Sequence, residues 1–324
     1  MADEIEVQVP NMRYDITIPF CDGRVEIEGV KLLRGSKNPG GGTAYGTDSP
    51  IATGDFGITD FNWGGLLPGV ERGDQIVALP VFTKRKPVYT YVYTRADANI
   101  NTPKDLEGKK VWSSLTGSAI GMWLKGLLTD HYGVDVDKIT WVVSRDPYPV
   151  YKEWSHVERF EGRKGVVEVL ADGDADALMT DISDGKAWDI LENDPRFKRL
   201  WPNYIAEDQK LYKETGIYTP VHCIAMSKKL DEAHPELAMK IYEGFEKSKQ
   251  IARDDIMNDR AGFSVVNLRE ALLWQDKTWG DPFKHGISAN KGTIDTFFKY
   301  NYDYGIVKGR YSYEQVFANS TLDT

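Results

Sequence analysis

Short apolar runs with the spacing of strands alternate with helix-patterned stretches along most of this 324-residue chain. A strand followed by a helix, repeated many times, restricts it to mixed α/β layers with a largely parallel sheet. A helical crossover is what returns one strand alongside and parallel to the last. The strand-like runs are residues 13–20 (RYDITIPF), 25–33 (VEIEGVKLL), 55–61 (DFGITDF), 76–82 (IVALPVF), 88–94 (VYTYVYT), 139–143, 175–179 (ADALM) and 218–226 (YTPVHCIAM). Pro220, early in the last of these, marks an edge or an opening position. Helices announce themselves by caps and periodicity. Thr102 and Pro103 open a brief one that Gly108 closes. Residues 118–131 carry Ile120, Trp123, Leu124, Leu127 and Leu128 on one side. Residues 166–170 are helical, residues 235–252 stack Leu237, Ile241 and Phe245 at i, i+4 and i+8, and a last helix runs from Thr293 to near Gly305.

In such sheets ligands bind beyond the carboxyl ends of strands. That rule selects five loops: residues 20–22, 59–63, 83–91, 113–118 and 180–184. In the fourth, Ser113, Ser114, Thr116, Gly117 and Ser118 open a helix, and their hydroxyls and free N–H groups make an anion seat. The same residue types also serve as ordinary caps. Within Lys84-Arg85-Lys86-Pro87, Arg85 has the planar fork for a carboxylate, whereas Lys84 and Lys86 read as solvated. His222 lies inside an apolar strand, either as a hydrogen-bonded core residue or as a proton donor near neutral pH. His131, His156, His234 and His285 read as surface or helix-end residues. Asp60 and Asp181 end strands, where each could bind a ligand hydroxyl, act as a base or cap the next helix. Asn62, Tyr89 and Thr180 share these loops as further substrate contacts.

The totals remove other classes. With 41% hydrophobic and 27% charged residues, the chain is neither fibrous nor disordered. A net charge of −9 disfavours nucleic acid and anionic membranes as partners, so a bound anion must meet a local positive field. Two cysteines, Cys21 and Cys223, build no disulfide framework. No metal-binding pattern such as His-Glu-x-x-His or paired Cys-x-x-Cys occurs, and no metal site is expected. The run Gly40-Gly41-Gly42 lacks the Lys-Ser/Thr of a phosphate loop, and a Gly-x-Ser-x-Gly elbow is missing. No apolar run reaches the roughly 18 residues of a membrane span. The start, Met1-Ala2-Asp3-Glu4, lacks a secretory pattern and reads as cytoplasmic. A leader cleaved ahead of Ala2 would mean the periplasm instead.

The order of phrases carries a resemblance. Asp22-Gly23-Arg24-Val25 with Glu28-Gly29-Val30 is followed by Ala78-Leu79-Pro80-Val81-Phe82 and Asp105-Leu106-Glu107-Gly108-Lys109-Lys110-Val111. Then come Trp123-Leu124-Lys125-Gly126-Leu127-Leu128, Tyr132-Gly133-Val134, Leu200-Trp201-Pro202-Asn203-Tyr204, and Thr215-Gly216-Ile217-Tyr218 leading to His222. Asp281-Pro282-Phe283, Gly286-Ile287, Ala289-Asn290 and Tyr313-Glu314-Gln315-Val316-Phe317 close the series. Taken together they resemble the 4,5-dihydroxyphthalate decarboxylase family, similar in fold to type II solute-binding proteins.

The resemblance implies a two-lobed type II periplasmic-binding-protein-like α/β fold, two mixed sheets flanked by helices with a cleft between lobes. The lobes would be residues 1–97 with 206–324, and residues 98–205, with hinges near 95–98 and 206–216 whose closure gates ligand access. It also implies a carboxy-lyase acting on a hydroxylated aromatic acid without an organic cofactor, and a homodimer fits the family. On that reading Arg85, Ser114, Thr116 and Gly117 seat a carboxylate, His222 donates the proton, and Asp60 or Asp181 binds the hydroxyl. The rival is a non-catalytic protein that hands a small aromatic or carboxylate ligand to a transporter permease.

Overall fold

The computed structural model describes residues 4–39, 48–113, 117–144, 156–162, 164–182, 184–260 and 264–324. Backbone packing divides the chain into two units. One comprises Met1–Arg85, Pro220–Ile294 and Tyr311–Thr324; the other comprises Lys86–Thr219 and Asp295–Arg310. The expected boundaries at 97/98 and 205/206 both fall inside the second unit.

In the first unit, β1 (Ile5–Pro10) and β2 (Val30–Ser36) pair in parallel. A second sheet has the order β3 (Ile58–Asn62), β11 (Pro220–Ser227), β4 (Ile76–Arg85). The helix α3 (Trp63–Arg72) carries the chain from β3 to β4 and leaves a strand's width between them, into which β11 fits antiparallel to both. This sheet is therefore antiparallel along both ladders rather than parallel, because its middle strand arrives only after the chain has built most of the other unit. Pro220 is its opening residue, where the missing N–H matters least. The C-terminal segment joins here, with Ala78 bridging Phe317. Shorter helices α1 (Ile18–Cys21), α2 (Pro50–Thr53) and α8 (Lys228–Ala233) complete the unit with α9 (Leu237–Met257) and α10 (Leu268–Trp279). Val7, Val9, Ile58, Leu79, Val81, Ile224, Leu237 and Ile241 belong to one buried cluster, and Phe20 stacks on Phe245 with centroids 4.1 Å apart.

The second unit has a sheet with the order β10 (Phe197–Arg199), β5 (Val92–Arg95), β9 (Ala177–Met179), β6 (Lys110–Trp112), β7 (Thr140–Val143), β8 (Val157–Arg159). Its β9, β6, β7 and β8 are parallel and the other pairings antiparallel, so this sheet is mixed. Helices α4 (Ala119–Tyr132), α5 (Val166–Ala171), α6 (Gly185–Asn193) and α7 (Tyr204–Thr215) belong to it. A last helix, α11 (Lys291–Asp303), continues into this unit from residue 295. There Trp123 packs on Phe297 and Tyr300, at 4.9 and 6.0 Å between centroids.

Several local expectations change. Residues 25–29, read as the first part of a strand, are a turn with a single bridge from Ile27 to Val30, and β2 begins only at Val30. Residues 13–20 are not a strand: Asp15–Thr17 form a 3-10 turn and Pro19 sits in the first turn of α1. Residues 88–94 begin with a 3-10 turn over Tyr89–Tyr91 before β5. Of residues 206–216, read as a hinge, 206–215 lie in α7, which Asn203 caps and Gly216 ends at φ 72°.

Candidate functional site

Asp60 lies in the middle of β3, between Thr59 and Phe61, rather than at a strand's end as read from the sequence, because β3 runs on to Asn62; His222 lies near the start of β11. In the β3–β11 ladder His222 faces Asn62, while Ile224 faces Asp60. Asp60 and His222 are thus diagonal neighbours on one face of the sheet, within reach of a long side chain. His222 Nδ1 lies 2.6 Å from Asp60 Oδ2. Tyr14 Oη is 3.1 Å from the same oxygen and 3.2 Å from Nδ1. Thr83, on β4, donates to Asp60 Oδ1 at 2.5 Å. The β4 register against β11 slips on either side of His222, and such an irregularity re-aims side chains.

Asp60 is buried at 7% exposure, whereas the His222 side chain keeps 22%. An ionised carboxylate only accepts hydrogen bonds, so its three neighbours act as donors. That places a proton on His222 Nδ1, whether the ring is neutral or an imidazolium, and directs Nε2 away from Asp60, where it takes a proton in the neutral ring and gives one in the imidazolium. Tyr14 is held in turn. Thr17 Oγ1 accepts from the Tyr14 N–H and donates to its carbonyl. Ser248 of α9 bonds Phe20 N and Ile16 O and fixes the turn to the long helix.

Other expected contacts sit differently. Asn62 Oδ1 accepts from Gly64 N and so caps α3. Arg85 is buried, and its Nη2 donates to Lys284 O at 2.8 Å and Asn290 Oδ1 at 2.5 Å. The fork expected for a ligand carboxylate is thus engaged in holding the segment around residues 284–290. His285 is buried rather than superficial: its Nδ1 accepts from Phe82 N at 3.2 Å, and burial, with Lys249 and Arg85 nearby, pushes it well below the usual range.

In the second unit, Asp181 forms an ion pair with Lys86, whose ammonium lies 5.0 Å from the Tyr91 ring centroid. Burial alone would pull the Lys86 ammonium down, but Asp181 and Tyr91 outweigh it and the net shift is upward. Lys86 is therefore no solvated turn residue, and Asp181 faces a cation. Thr180 and Ser113 are buried. Ser118 caps α4 by accepting from Gly121 N at 3.1 Å; Gly117 is buried beside it. Ser114 and Thr116 lie outside the described residues. Tyr89 is a core residue packed against Trp201 and Tyr132, at 4.6 and 5.9 Å, and burial raises its phenol.

Sequence reasoning missed Tyr14, and it took in Thr83 only as the first residue of the loop 83–91, with no role of its own. A groove of about 660 Å³ along α9 and α10 is lined by Lys249 and Arg253, but these are ion-paired with Asp281 and Asp276. None of Asp60, His222 and Tyr14 lines it.

Comparison with known proteins adds the following. The NMT1/THI5-like family model matches residues 51–149. A 4,5-dihydroxyphthalate decarboxylase of Comamonas testosteroni is 24% identical over 333 residues, covering 99% of this chain and 98% of that protein. A periplasmic sulfonate-binding protein of Methylobacillus flagellatus superposes with a TM-score of 0.60 at 14% identity, over 98% of this chain and 92% of its own. The periplasmic aliphatic sulphonate-binding protein of Escherichia coli gives 0.54 at 11%, over 98% and 99%. Over nearly its whole length the chain is thus similar in sequence to one 4,5-dihydroxyphthalate decarboxylase, and its α/β fold is that of the type II periplasmic binding proteins.

Proposed function

We propose that the chain is a decarboxylase of a hydroxylated aromatic carboxylic acid resembling 4,5-dihydroxyphthalate, working without an organic cofactor, and that His222 is its proton donor. The observation that carries this reading is the buried Asp60 carboxylate 2.6 Å from His222 Nδ1, with Tyr14 and Thr83 as its other donors. The full-length similarity to a named decarboxylase supports it. In the reaction a ring hydroxyl para to the departing carboxylate pushes electrons into the ring. The carbon–carbon bond breaks, CO₂ leaves, and its electron pair stays with the ring carbon, which takes the proton from Nε2–H of the imidazolium. Asp60 keeps the imidazole oriented throughout, the task of the carboxylate in a catalytic triad.

A second reading is favoured by the fold likeness to sulfonate-binding proteins: a binder of a small anion that performs no chemistry. One experiment separates them. CO₂ release from 4,5-dihydroxyphthalate and related hydroxybenzoates is followed while calorimetry measures their binding. The enzyme reading expects turnover that falls roughly 100-fold or more in His222→Ala, with ligand affinity changed little. Binding of aromatic acids or sulfonates by the wild type with no CO₂ released rejects it in favour of the binder.

A further inference from the structure

The helix α10 stands out for what it leaves uncovered. Among the described residues it has no buried side chain. Its inner side is tied to α9 by the ion pair between Arg253 and Asp276. Its outer side, with the turn before it, exposes Leu273 at 42%, Trp274 at 53%, Val265 at 60% and Val266 at 86%. The other exposed large apolar residues are scattered along the chain, at Ile18, Val157, Ile190, Ile205 and Tyr302. Single exposed apolar side chains are ordinary, but a cluster with a tryptophan marks a contact surface.

The charges around the cluster indicate the occupant. Glu270, Leu273, Trp274 and Lys277 follow the i, i+3, i+4, i+7 spacing that puts residues on one helix face, and Glu270 and Lys277 are exposed. A two-fold axis perpendicular to α10, running beside it and facing the midpoint between Leu273 and Trp274, brings residue 270 of one copy opposite residue 277 of the other. Two antiparallel copies of the helix then bring Leu273 and Trp274 together at the centre. Glu270 of each copy meets Lys277 of the other, twice over. A self-complementary patch of this kind is what a two-fold interface requires. We infer that α10 is the contact between two copies of this chain, paired antiparallel about that axis. The inference holds for either function proposed above.

The test is sedimentation velocity across a concentration series of the full chain. The wild type is expected to reach twice its monomer mass of 36.6 kDa. Glu270→Lys and Lys277→Glu replace two attractions with two repulsions and each should weaken self-association roughly tenfold. Mixed in equal amounts, the two variants should form a heterodimer, because every facing pair is then opposite in sign. Trp274→Ala should weaken the dimer roughly thirtyfold. These positions are exposed, and circular dichroism checks that each variant folds. A wild type that stays monomeric throughout, including one that co-sediments with vesicles or another protein instead, overturns the inference. So does a dimer indifferent to Trp274→Ala, or a variant mixture that fails to associate.

Discussion

Asp208 carries a titration that the whole fold should feel. Its Oδ1 accepts from Val88 N at 3.2 Å and Tyr89 N at 3.5 Å. Burial pushes its carboxyl up to about 7, against those two donors and with Glu207 adding repulsion. The unfolded chain releases this proton near pH 4, roughly the value of a free aspartate. Between that pH and about 7 the folded state holds one proton more, so stability falls as pH rises through the window and levels off above it. Asparagine keeps an oxygen for both backbone donors and cannot ionise. Relative to Asp208→Asn, the wild type should therefore lose on the order of 2–4 kcal/mol between pH 4 and pH 8. Urea denaturation of both proteins at several pH values checks this, and an offset that stays constant with pH would refute it. At the same scale, His222 was legible from its place inside an apolar strand, whereas Asp60 was singled out as a strand end although β3 continues past it to Asn62. Tyr14 was not legible, since its 208-residue separation from His222 leaves no local pattern that joins them. His285 escaped for a related reason: Lys284 and Gly286 look like a surface turn, while the buried partner is the distant Phe82 amide.

Among the elements, helix α4 depends on a glycine. A Cβ at Gly126 would stand 2.1 Å from atoms of the Tyr300 ring. That ring cannot swing aside freely, because its hydroxyl donates to Asp130 at 2.8 Å and its edge packs on Trp123. Gly126→Ala should destabilise the protein by about 3 kcal/mol. Gly292→Ala, in α11 with nothing within 4 Å of its Cβ, should instead be neutral or stabilise by roughly 0.5 kcal/mol. Denaturation curves of the two variants give the comparison, and equal destabilisation would remove the packing argument. Strands and helices with strong patterns, such as β3, β4, α4, α9 and α11, could be read from the sequence. The turn at residues 13–20 could not, because Pro19 and the Thr17–Tyr14 bonds override a two-residue alternation. The antiparallel place of β11 was equally hidden, since strand order is a long-range property.

At the level of the whole molecule, each unit gathers pieces far apart in the chain. A fragment of residues 86–219 lacks residues 295–310, so it exposes the Trp123 surface that Phe297 and Tyr300 cover. Expressed alone it should bind a hydrophobic dye and unfold without cooperativity, and joining residues 295–310 through a flexible linker should restore a sharp transition. A sharp transition in the short fragment would show that the late segment is dispensable.

The same interleaving governs what happens at the ribosome. One unit waits for residues 295–310 and the other for residues 311–324, so neither can close before those segments have been made. Domains that usually mature one after another, amino end first, must here mature together. Apolar surface of both units therefore stays uncovered in the nascent chain until residues 295–324 emerge.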